Sequence, residues 1–276
     1  MLKHRVITAA ILIPLVIWGI FGLSTFPVFS LIIGLFVILG VFEWTRLIGL
    51  DKNQTFHKSY VLVIIGFLFA SYGIMQSNSL LFLFLLSSVL WWTWQILQLP
   101  AFDGEQGFEA NDALPNLWTG VFLLVPTWAS IMVLHQQPDI GSGLVLLLMV
   151  LIWSADTGAY FAGRKYGKKK LAPLVSPGKT IEGAYGAFAA SGIVAVIGGF
   201  WLDLGFFQFI LFLILSLLVV VYSIGGDLME SVYKRRAGVK DSGTLLPGHG
   251  GVLDRIDSLM SASPVFALGL WCLGII

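Results

Sequence analysis

Long apolar stretches alternate with short polar segments along the whole chain. Each stretch is close to the roughly 20 residues that an α-helix needs to cross the hydrocarbon core of a bilayer. The pattern therefore predicts an all-α fold, a polytopic membrane protein with about nine transmembrane helices. The stretches cover residues 6–23, 27–42, 60–75, 79–98, 116–134, 142–163, 181–201, 205–226 and 253–276.

Two of these stretches allow a second interpretation. The first follows Met1-Leu2-Lys3-His4-Arg5 and so resembles a secretory signal, but no small-x-small cleavage site follows it, and we expect an uncleaved helix. The stretch at 60–75 is short and is joined to the next by Gln76-Ser77-Asn78, so these two could form a re-entrant pair. We favour two tight antiparallel spans.

Composition supports a membrane protein and excludes other classes. Only 11% of the 276 residues are charged, whereas a soluble domain carries about 25%. The net charge of +1 gives no reason to expect nucleic acid as a partner. The single cysteine, Cys272, excludes an intramolecular disulfide, and its place in the last apolar stretch predicts a small buried hydrophobe.

The 16 lysine and arginine residues indicate the orientation of the chain in the membrane. Cytoplasmic loops carry an excess of these residues. With a cytoplasmic N-terminus and nine alternating spans, all of them fall on the cytoplasmic side. They lie at Lys3, Arg5, Arg46, Lys52, Lys58, 164–179 and 234–255.

The two halves of the chain differ in their polar content. Residues 1–140 have few ionisable groups in their apolar stretches, and we interpret them as a transmembrane scaffold. Their loop at 99–115 has four acids and no bases, which is typical of a solvated loop. In residues 141–276 charged residues lie beside or within apolar stretches. A charge in the bilayer core costs about 2.5–3.5 kcal/mol, so we predict that this half is the catalytic region.

Three aspartates are predicted to meet at the end of the last helical hairpin. Asp254 and Asp257 are three residues apart at the start of the last helix, so they share one face. Asp227 lies at the cytoplasmic end of the preceding helix. Three carboxylates at one depth suit Mg²⁺, which is bound by oxygen ligands together with substrate phosphates. Helix capping by Asp254 and its pairing with Arg255 would explain one aspartate but not three.

The loop between these helices supplies groups that bind anions. Its cationic residues are Lys234, Arg235, Arg236 and Lys240. Its glycines, which allow close approach of the backbone to an anion, are Gly248, Gly250 and Gly251. Such a basic cluster is more often a membrane anchor, but beside three acids we favour a catalytic role. His249 is open to two interpretations, a proton carrier or a hydrogen bond that closes the loop.

A second polar segment contains Asp156, which follows an apolar stretch, and Ser176-Pro177-Gly178-Lys179-Thr180. The latter resembles the end of a P-loop, but Pro173 stands where that motif needs glycine, and no strand is predicted before it. We therefore reject a P-loop. Lys179 and Thr180 at a helix start remain a candidate anion site.

A longer pattern extends from Ser231 to Asp257: Ser-x-x-Lys-Arg-x4-Lys-Asp-x-Gly-x-x-Leu-Pro-x-His-Gly-Gly-x-x-Asp-Arg-x-Asp. It resembles, at every fixed position, the signature of the CTP:phosphatidate cytidylyltransferases, also called CDP-diacylglycerol synthases. Asp156-Thr157-Gly158-Ala159-Tyr160 and Ser176-Pro177-x-Lys179-Thr180-x-Glu182-Gly183 are similar to elements of that family. Gly178 and Ile181 depart from it, since a lysine and an aromatic residue are frequent there.

The resemblance implies a reaction in phospholipid biosynthesis, in which CTP and phosphatidic acid give CDP-diacylglycerol and pyrophosphate. It implies a homodimer in the bacterial inner membrane with a cytoplasmic active site, and Mg²⁺ as cofactor with K⁺ as a candidate second ion. The metal ligands it implies are Asp227, Asp254 and Asp257, with Lys240 and Arg255 as further catalytic residues. The substrate-binding residues it implies are Asp156, Lys179, Thr180, Ser231, Lys234, Arg235, His249, Gly250 and Gly251.

Three other functions compete with this hypothesis. A CDP-alcohol phosphotransferase needs Asp-Gly-x-x-Ala-Arg and aspartates four apart, and the first element is missing here. A cytidylyltransferase for another lipid phosphate would share the same head chemistry and stays open. A secondary transporter tends to place its site at the bilayer midplane between related halves, whereas the charges here lie at one face and in one half.

Overall fold

The structure is a computed structural model that describes residues 14–23, 26–50, 54–104, 107–108, 112–245 and 250–276. Helical residues 14–22 form α1. The helices that follow are α2 (Phe26–Leu47), α3 (Gln54–Met75), α4 (Asn78–Gln98), α5 (Ala113–His135), α6 (Gly141–Tyr166), α7 (Ile181–Trp201), α8 (Phe206–Arg236) and α9 (Leu253–Cys272). A short 3₁₀ turn, Leu99–Ala101, follows α4. The proposed uncleaved start of the chain at Met1–Arg5 lies outside the described residues.

Within this part of the chain, seven helices, α2 to α8, are long and apolar enough to cross a membrane. Every backbone N–H and C=O in a lipid-exposed segment needs an internal partner, and a helix supplies it. The chain is therefore a polytopic integral membrane protein, as the apolar stretches predicted. The total of nine spans and the cytoplasmic N-terminus stay predictions.

Helix α5 is the central helix of the bundle. In its most apolar window 78% of the residues are buried, against 17–39% in the other candidate spans. It packs against α2, α3, α6 and α9. Two hydrogen bonds join its first turns to the N-terminal helices: Trp44 Nε1 donates to the Asn116 carbonyl at 3.0 Å, and the Tyr60 hydroxyl donates to the Leu117 carbonyl at 2.7 Å.

Helices α6 and α7 approach each other closely because small residues face one another. A Cβ atom at Gly186 would collide with Ala162 and with the backbone of Gly158. In membranes, helix association depends on such close backbone packing. The pairing fixes the C-terminal half of α6, which carries Asp156, against the start of α7.

A short β-hairpin connects these two helices. Strands β1 (Lys170–Ala172) and β2 (Ser176–Thr180) are antiparallel, with Lys170 opposite Thr180. The all-α prediction is correct for the membrane helices but misses this hairpin, because its strands are too short for an alternating pattern. The expectation that no strand precedes Ser176–Thr180 was also wrong, because β1 precedes this segment. The hairpin is nevertheless not the long glycine loop of a P-loop.

The structure also contradicts the prediction made for Cys272, which lies in the last turn of α9. Cys272 is exposed on the surface of the protein, so the prediction of a buried residue was wrong. The sequence stretch around it is apolar, but a residue on a membrane helix can be apolar because it faces lipid as well as because it is buried. Hydropathy alone does not separate these two cases.

Candidate active site

The site lies where α8 and α9 come together. A Cβ atom at Gly226 would collide with the Asp257 carbonyl and with the Ser261 side chain, so α8 has room for α9 only because this residue is glycine. The Ser261 hydroxyl also donates a hydrogen bond of 2.6 Å to the Tyr222 carbonyl on α8. This contact places Asp227, the next residue on α8, beside the first turns of α9.

Asp227 is held by a lysine from the hairpin. Lys179 Nζ on β2 lies 2.7 Å from Asp227 Oδ2, and both side chains are slightly more than one quarter exposed. The Ser231 hydroxyl donates to Asp227 Oδ1 at 3.4 Å from one turn further along α8. The structure thus brings together three residues that the sequence placed in two separate segments.

Asp254 is held by a different lysine. Lys234 Nζ lies 2.7 Å from Asp254 Oδ1 and 2.5 Å from Glu230 Oε2, and all three side chains are buried or nearly so. Asp254 Oδ2 also accepts hydrogen bonds from the Ser242 amide at 2.9 Å and the Gly251 amide at 2.7 Å. A buried carboxylate needs such partners because its desolvation is costly.

The predicted alternative, in which Asp254 caps α9 and pairs with Arg255, does not describe these contacts. The cation beside Asp254 is Lys234. Arg255 is exposed. The first amides of α9 are capped instead by Glu43 from α2, whose carboxylate accepts from the Val252 and Leu253 amides.

Asp257, near the start of α9, lies close to two acids of α8. It interacts electrostatically with Asp227 and Glu230, and one of its own oxygens accepts from the Ser258 amide at 2.6 Å. Glu230 Oε1 is buried without a hydrogen-bond partner among the described residues. A bound cation would reduce the repulsion between these carboxylates and would give the unpartnered oxygen a ligand contact.

The ligand type of these residues suits Mg²⁺, because all of them are carboxylates. In the described part of the chain no three Asp, Glu, His or Cys side chains converge closely enough to hold a metal ion as they stand. Asp254 in particular faces Lys234 rather than the other two aspartates. The metal role of Asp227, Asp254 and Asp257 therefore stays a prediction.

A cavity of about 470 Å³ opens beside the Lys179–Asp227 pair. It lies between α6, α7, α8 and β2, and ligand pockets of roughly 300–1,000 Å³ are usual for small molecules. Asp156, from α6, lines it and interacts electrostatically with Asp227 and Lys179. The other polar groups around it belong to Tyr160, Arg164 and Thr180. This cavity can accept an anion at Lys179.

Two predicted substrate residues have structural partners. The Thr180 hydroxyl accepts from the Gly183 amide at 3.1 Å and so caps α7. Arg235 Nε donates to the Val175 carbonyl at 3.1 Å and so binds the turn of the hairpin. Their substrate-binding roles stay predictions, and the contacts show how the hairpin that carries Lys179 is fixed at both ends.

Lys240 and the glycines lie in the loop before α9. Lys240 is exposed and lines a second cavity, of about 530 Å³, with Arg46 and Arg236. Gly250 has a φ of 80°, which favours glycine, and a Cβ there would collide with Asp254. Gly251 supplies the amide that binds Asp254. Gly248 and His249 lie outside the described residues, so both interpretations of the histidine stay open.

Sequence reasoning missed two carboxylates. Glu230 had a local signal, since it lies one helical turn before Lys234 on the same face. Glu43 lies one residue beyond the apolar stretch that was assigned as a span at 27–42, and its contacts are with residues some 200 positions away. Nothing in the local pattern of α2 indicates those contacts.

Comparison with known proteins places the chain in a family. Residues 3–273 match the sequence model of the Cytidylyltransferase family. Phosphatidate cytidylyltransferase from Pseudomonas aeruginosa is 43% identical over 99% of this chain and 98% of its own length. The proteins of that name from Haemophilus influenzae and Brucella suis are 39% and 34% identical, and the alignments cover 97% of this chain and 98% and 92% of theirs. The chain therefore belongs to the cytidylyltransferase family.

Proposed function

We propose that this protein is a phosphatidate cytidylyltransferase, which transfers CMP from CTP to phosphatidic acid and releases pyrophosphate. The product, CDP-diacylglycerol, is a precursor in phospholipid biosynthesis. The observation that carries the proposal is similarity to relatives of that name along nearly the whole chain. The site agrees with it, because Lys179 faces a cavity at the end of a membrane helix bundle.

The chemistry matches the groups present. An oxygen of the phosphatidate phosphate attacks the α-phosphorus of CTP, and the bond from that phosphorus to the oxygen bridging to the β-phosphate breaks. The nucleophile is already anionic at neutral pH, so no general base is needed. The barrier is the approach of two anions, which positioned cations reduce. Mg²⁺ bound by Asp227, Asp254 and Asp257 would supply charge neutralisation at the transferred phosphate and the leaving group.

Lys179 is the residue best placed to bind the lipid phosphate. Its ion pair with Asp227 is partly exposed, and contact with solvent weakens an ion pair, to about 0–1 kcal/mol for pairs that are fully exposed. An incoming phosphate can therefore replace the carboxylate at little cost. The exchange would leave Asp227 free to take part in binding a cation. Lys234, which is enclosed by Glu230 and Asp254, instead holds the α8–α9 junction together.

The length of α8 supports a site at headgroup depth. Its 31 residues rise by about 46 Å at 1.5 Å per residue, whereas the hydrocarbon core is about 30 Å thick. If α8 begins at the far interface, its twentieth residue reaches the near one, just before Asp227. Exposed Tyr160 and Tyr185 near the same end are typical of a membrane interface. The exposed lysines of 165–170 lie beyond them and favour the cytoplasmic side.

We also propose that the chain crosses the bacterial inner membrane nine times, with its N-terminus in the cytoplasm. We further propose that it forms a homodimer, as the resemblance implies. Cysteine-labelling from each side of sealed vesicles tests the orientation, and mass determination in lipid nanodiscs tests the dimer. Labelling of the 168–170 segment from the outer side alone would contradict the orientation.

A panel of candidate lipid acceptors tests the substrate. The purified protein in mixed micelles receives labelled CTP and Mg²⁺ with phosphatidic acid, an isoprenyl phosphate, or diacylglycerol. We expect lipid-soluble label only with phosphatidic acid. Label that enters only the isoprenyl phosphate would show that this lipid, and not phosphatidic acid, is the acceptor, while the reaction would still be cytidylyl transfer. In a separate assay with the protein reconstituted in sealed vesicles, nucleotide that crosses the membrane without incorporation would identify a transporter and overturn the proposal.

A further inference from the structure

A buried carboxylate from the N-terminal half of the chain reaches the loop before α9. Glu43, on α2, is 7% exposed. Its Oε1 accepts from the Val252 amide at 2.8 Å, and its Oε2 accepts from the Leu253 amide at 2.8 Å and from the Ser242 hydroxyl at 3.0 Å. No cation within the described residues forms an ion pair with it. Its charge is compensated by hydrogen bonds from the C-terminal half.

These bonds perform a task that α9 does not perform for itself. Val252 is the N-cap of α9, and its own side chain makes no capping bond. The first amides of a helix lack intrahelical acceptors and carry a partial positive charge. Glu43 is thus a cap supplied by another helix, and it fixes where α9 begins relative to α2.

Ser242 connects this cap to the candidate active site. Its hydroxyl lies 3.0 Å from both Glu43 Oε2 and Asp254 Oδ2, and its single proton serves one of them at a time. The Ser242 amide donates to Asp254 as well. The chain of contacts runs from Glu43 through Ser242 to Asp254, and from there to Lys234.

The loop is shaped around the Glu43 carboxylate. Cβ atoms at Gly243 and Gly251 would both collide with Glu43 oxygens. Two glycines on either side of one carboxylate leave it enclosed by backbone. The side chain therefore has one place to lie, and the loop has one arrangement that accepts it.

We propose that Glu43 is a positioning residue for cytidylyl transfer. It holds the start of α9 and the loop at Ser242 so that Asp254 meets Lys234 in the arrangement described above. The inference rests on the proposed function for its kinetic consequences, while its structural part stands on these contacts alone. It gives the N-terminal half a part in the active site beyond that of a scaffold.

The test compares Glu43→Gln, Glu43→Asp and Glu43→Ala with Asp139→Asn. The control is an exposed residue in the α5–α6 turn with a φ of 62°, which asparagine tolerates, so it makes the same acid-to-amide change away from the site. The glutamine keeps the shape of Glu43 but turns an amide group toward donors. In Glu43→Gln we expect kcat to fall by roughly 10- to 100-fold, as when a reacting group is displaced slightly, while KM for both substrates stays within about threefold of the wild-type value.

A second readout does not depend on activity. Hydrogen exchange of peptides that cover residues 242–253 should accelerate in Glu43→Gln, while exchange in α5 and the melting temperature stay close to wild type. Wild-type kcat and exchange in Glu43→Gln would overturn the inference. Acceleration throughout the bundle with a large fall in melting temperature would also overturn it, because Glu43 would then be a general stabilising residue.

A double variant tests whether Glu43 acts on Asp254 through Ser242. If Glu43 acts through this serine, the losses of kcat in Glu43→Gln and Ser242→Ala should not multiply in the double variant. Multiplying losses would contradict the relay. An inactive wild-type protein would remove the proposed function but leave the exchange experiment able to confirm or refute the cap.

Discussion

Lys179 on the β-hairpin and Asp227 on α8 form an ion pair of 2.7 Å at the edge of a cavity. The pair joins two segments that are almost 50 residues apart in sequence. Both side chains are partly exposed, so the contact can open when an anion arrives. In the proposed reaction this lysine meets the lipid phosphate.

Replacement of Lys179 should weaken binding of phosphatidic acid. We expect Lys179→Ala to lower kcat/KM for phosphatidic acid by roughly 100-fold, which corresponds to about 2.7 kcal/mol, mainly through KM. Kinetics with lipid diluted in detergent micelles measure it. Lys170→Ala, an exposed lysine of the same hairpin that does not line the cavity, is the control. Equal losses in both variants would indicate a general effect of surface charge.

Removal of Lys234 should destabilise the protein itself. Lys234→Met leaves the buried Glu230 and Asp254 carboxylates without their cation. Breaking a buried ion pair from one side costs about 3–5 kcal/mol. Thermal unfolding in detergent measures the change, and Lys165→Met, at the exposed end of α6, is the control. A melting temperature equal to that of the control would contradict the contacts assigned to Lys234.

The aspartates of α9 should separate in their effects. Asp254→Asn should abolish turnover and also lower the melting temperature, because Asp254 binds Lys234 and two loop amides. Asp257→Asn should abolish turnover with a smaller change in melting temperature, because its one backbone bond is to the neighbouring Ser258. Turnover and unfolding are measured on both, with Asp203→Asn in the α7–α8 turn as the control.

Binding of a divalent ion tests the metal prediction separately. Wild-type protein should bind Mn²⁺ in place of Mg²⁺, and Asp257→Asn should lose that signal in electron paramagnetic resonance. Wild-type rates in either α9 variant would remove that aspartate from the site. If an inactive Asp257→Asn variant still binds Mn²⁺, Asp257 is needed for turnover but is not a metal ligand.

The close packing of α6 and α7 should be sensitive to a single methyl group. Gly186→Ala places a Cβ against Ala162 and the Gly158 backbone, and overpacking of this kind costs about 1–3 kcal/mol. Gly192→Ala, on the same helix with no atom within 4 Å of the added Cβ, should be neutral. Thermal unfolding and turnover measure both. Equal stability of the two variants would contradict the described helix contact.

The membrane class and the candidate site at the α8–α9 junction could be predicted from sequence because they depend on local patterns. Apolar stretches report helices that cross lipid, and Asp254 and Asp257 lie on one helix face by spacing alone. The antiparallel joining of α8 and α9 then brings Asp227 close to Asp257, although Asp254 faces Lys234. The resemblance to the family supplied the reaction and the substrates, which no pattern of hydropathy contains.

The partners of these residues could not be predicted in the same way. Glu43 caps a helix that begins some 210 residues later, and such a contact depends on how α2 packs in the bundle. Asp254 pairs with Lys234 from α8 rather than with its neighbour Arg255, and this contact too depends on how two helices pack. The β-hairpin carries too few residues for a strand pattern, although it places Lys179.

The most direct test of the central claim follows two positions of label in CTP. With phosphatidic acid and Mg²⁺, label at the α-phosphate should appear in a chloroform-soluble product, and label at the γ-phosphate should appear only in pyrophosphate, in equal amounts. At phosphatidic acid concentrations below KM, the Lys179→Ala variant should lose most of both signals in parallel. Label from the γ-phosphate in the lipid, or no lipid label from the α-phosphate with active, folded protein, would contradict cytidylyl transfer.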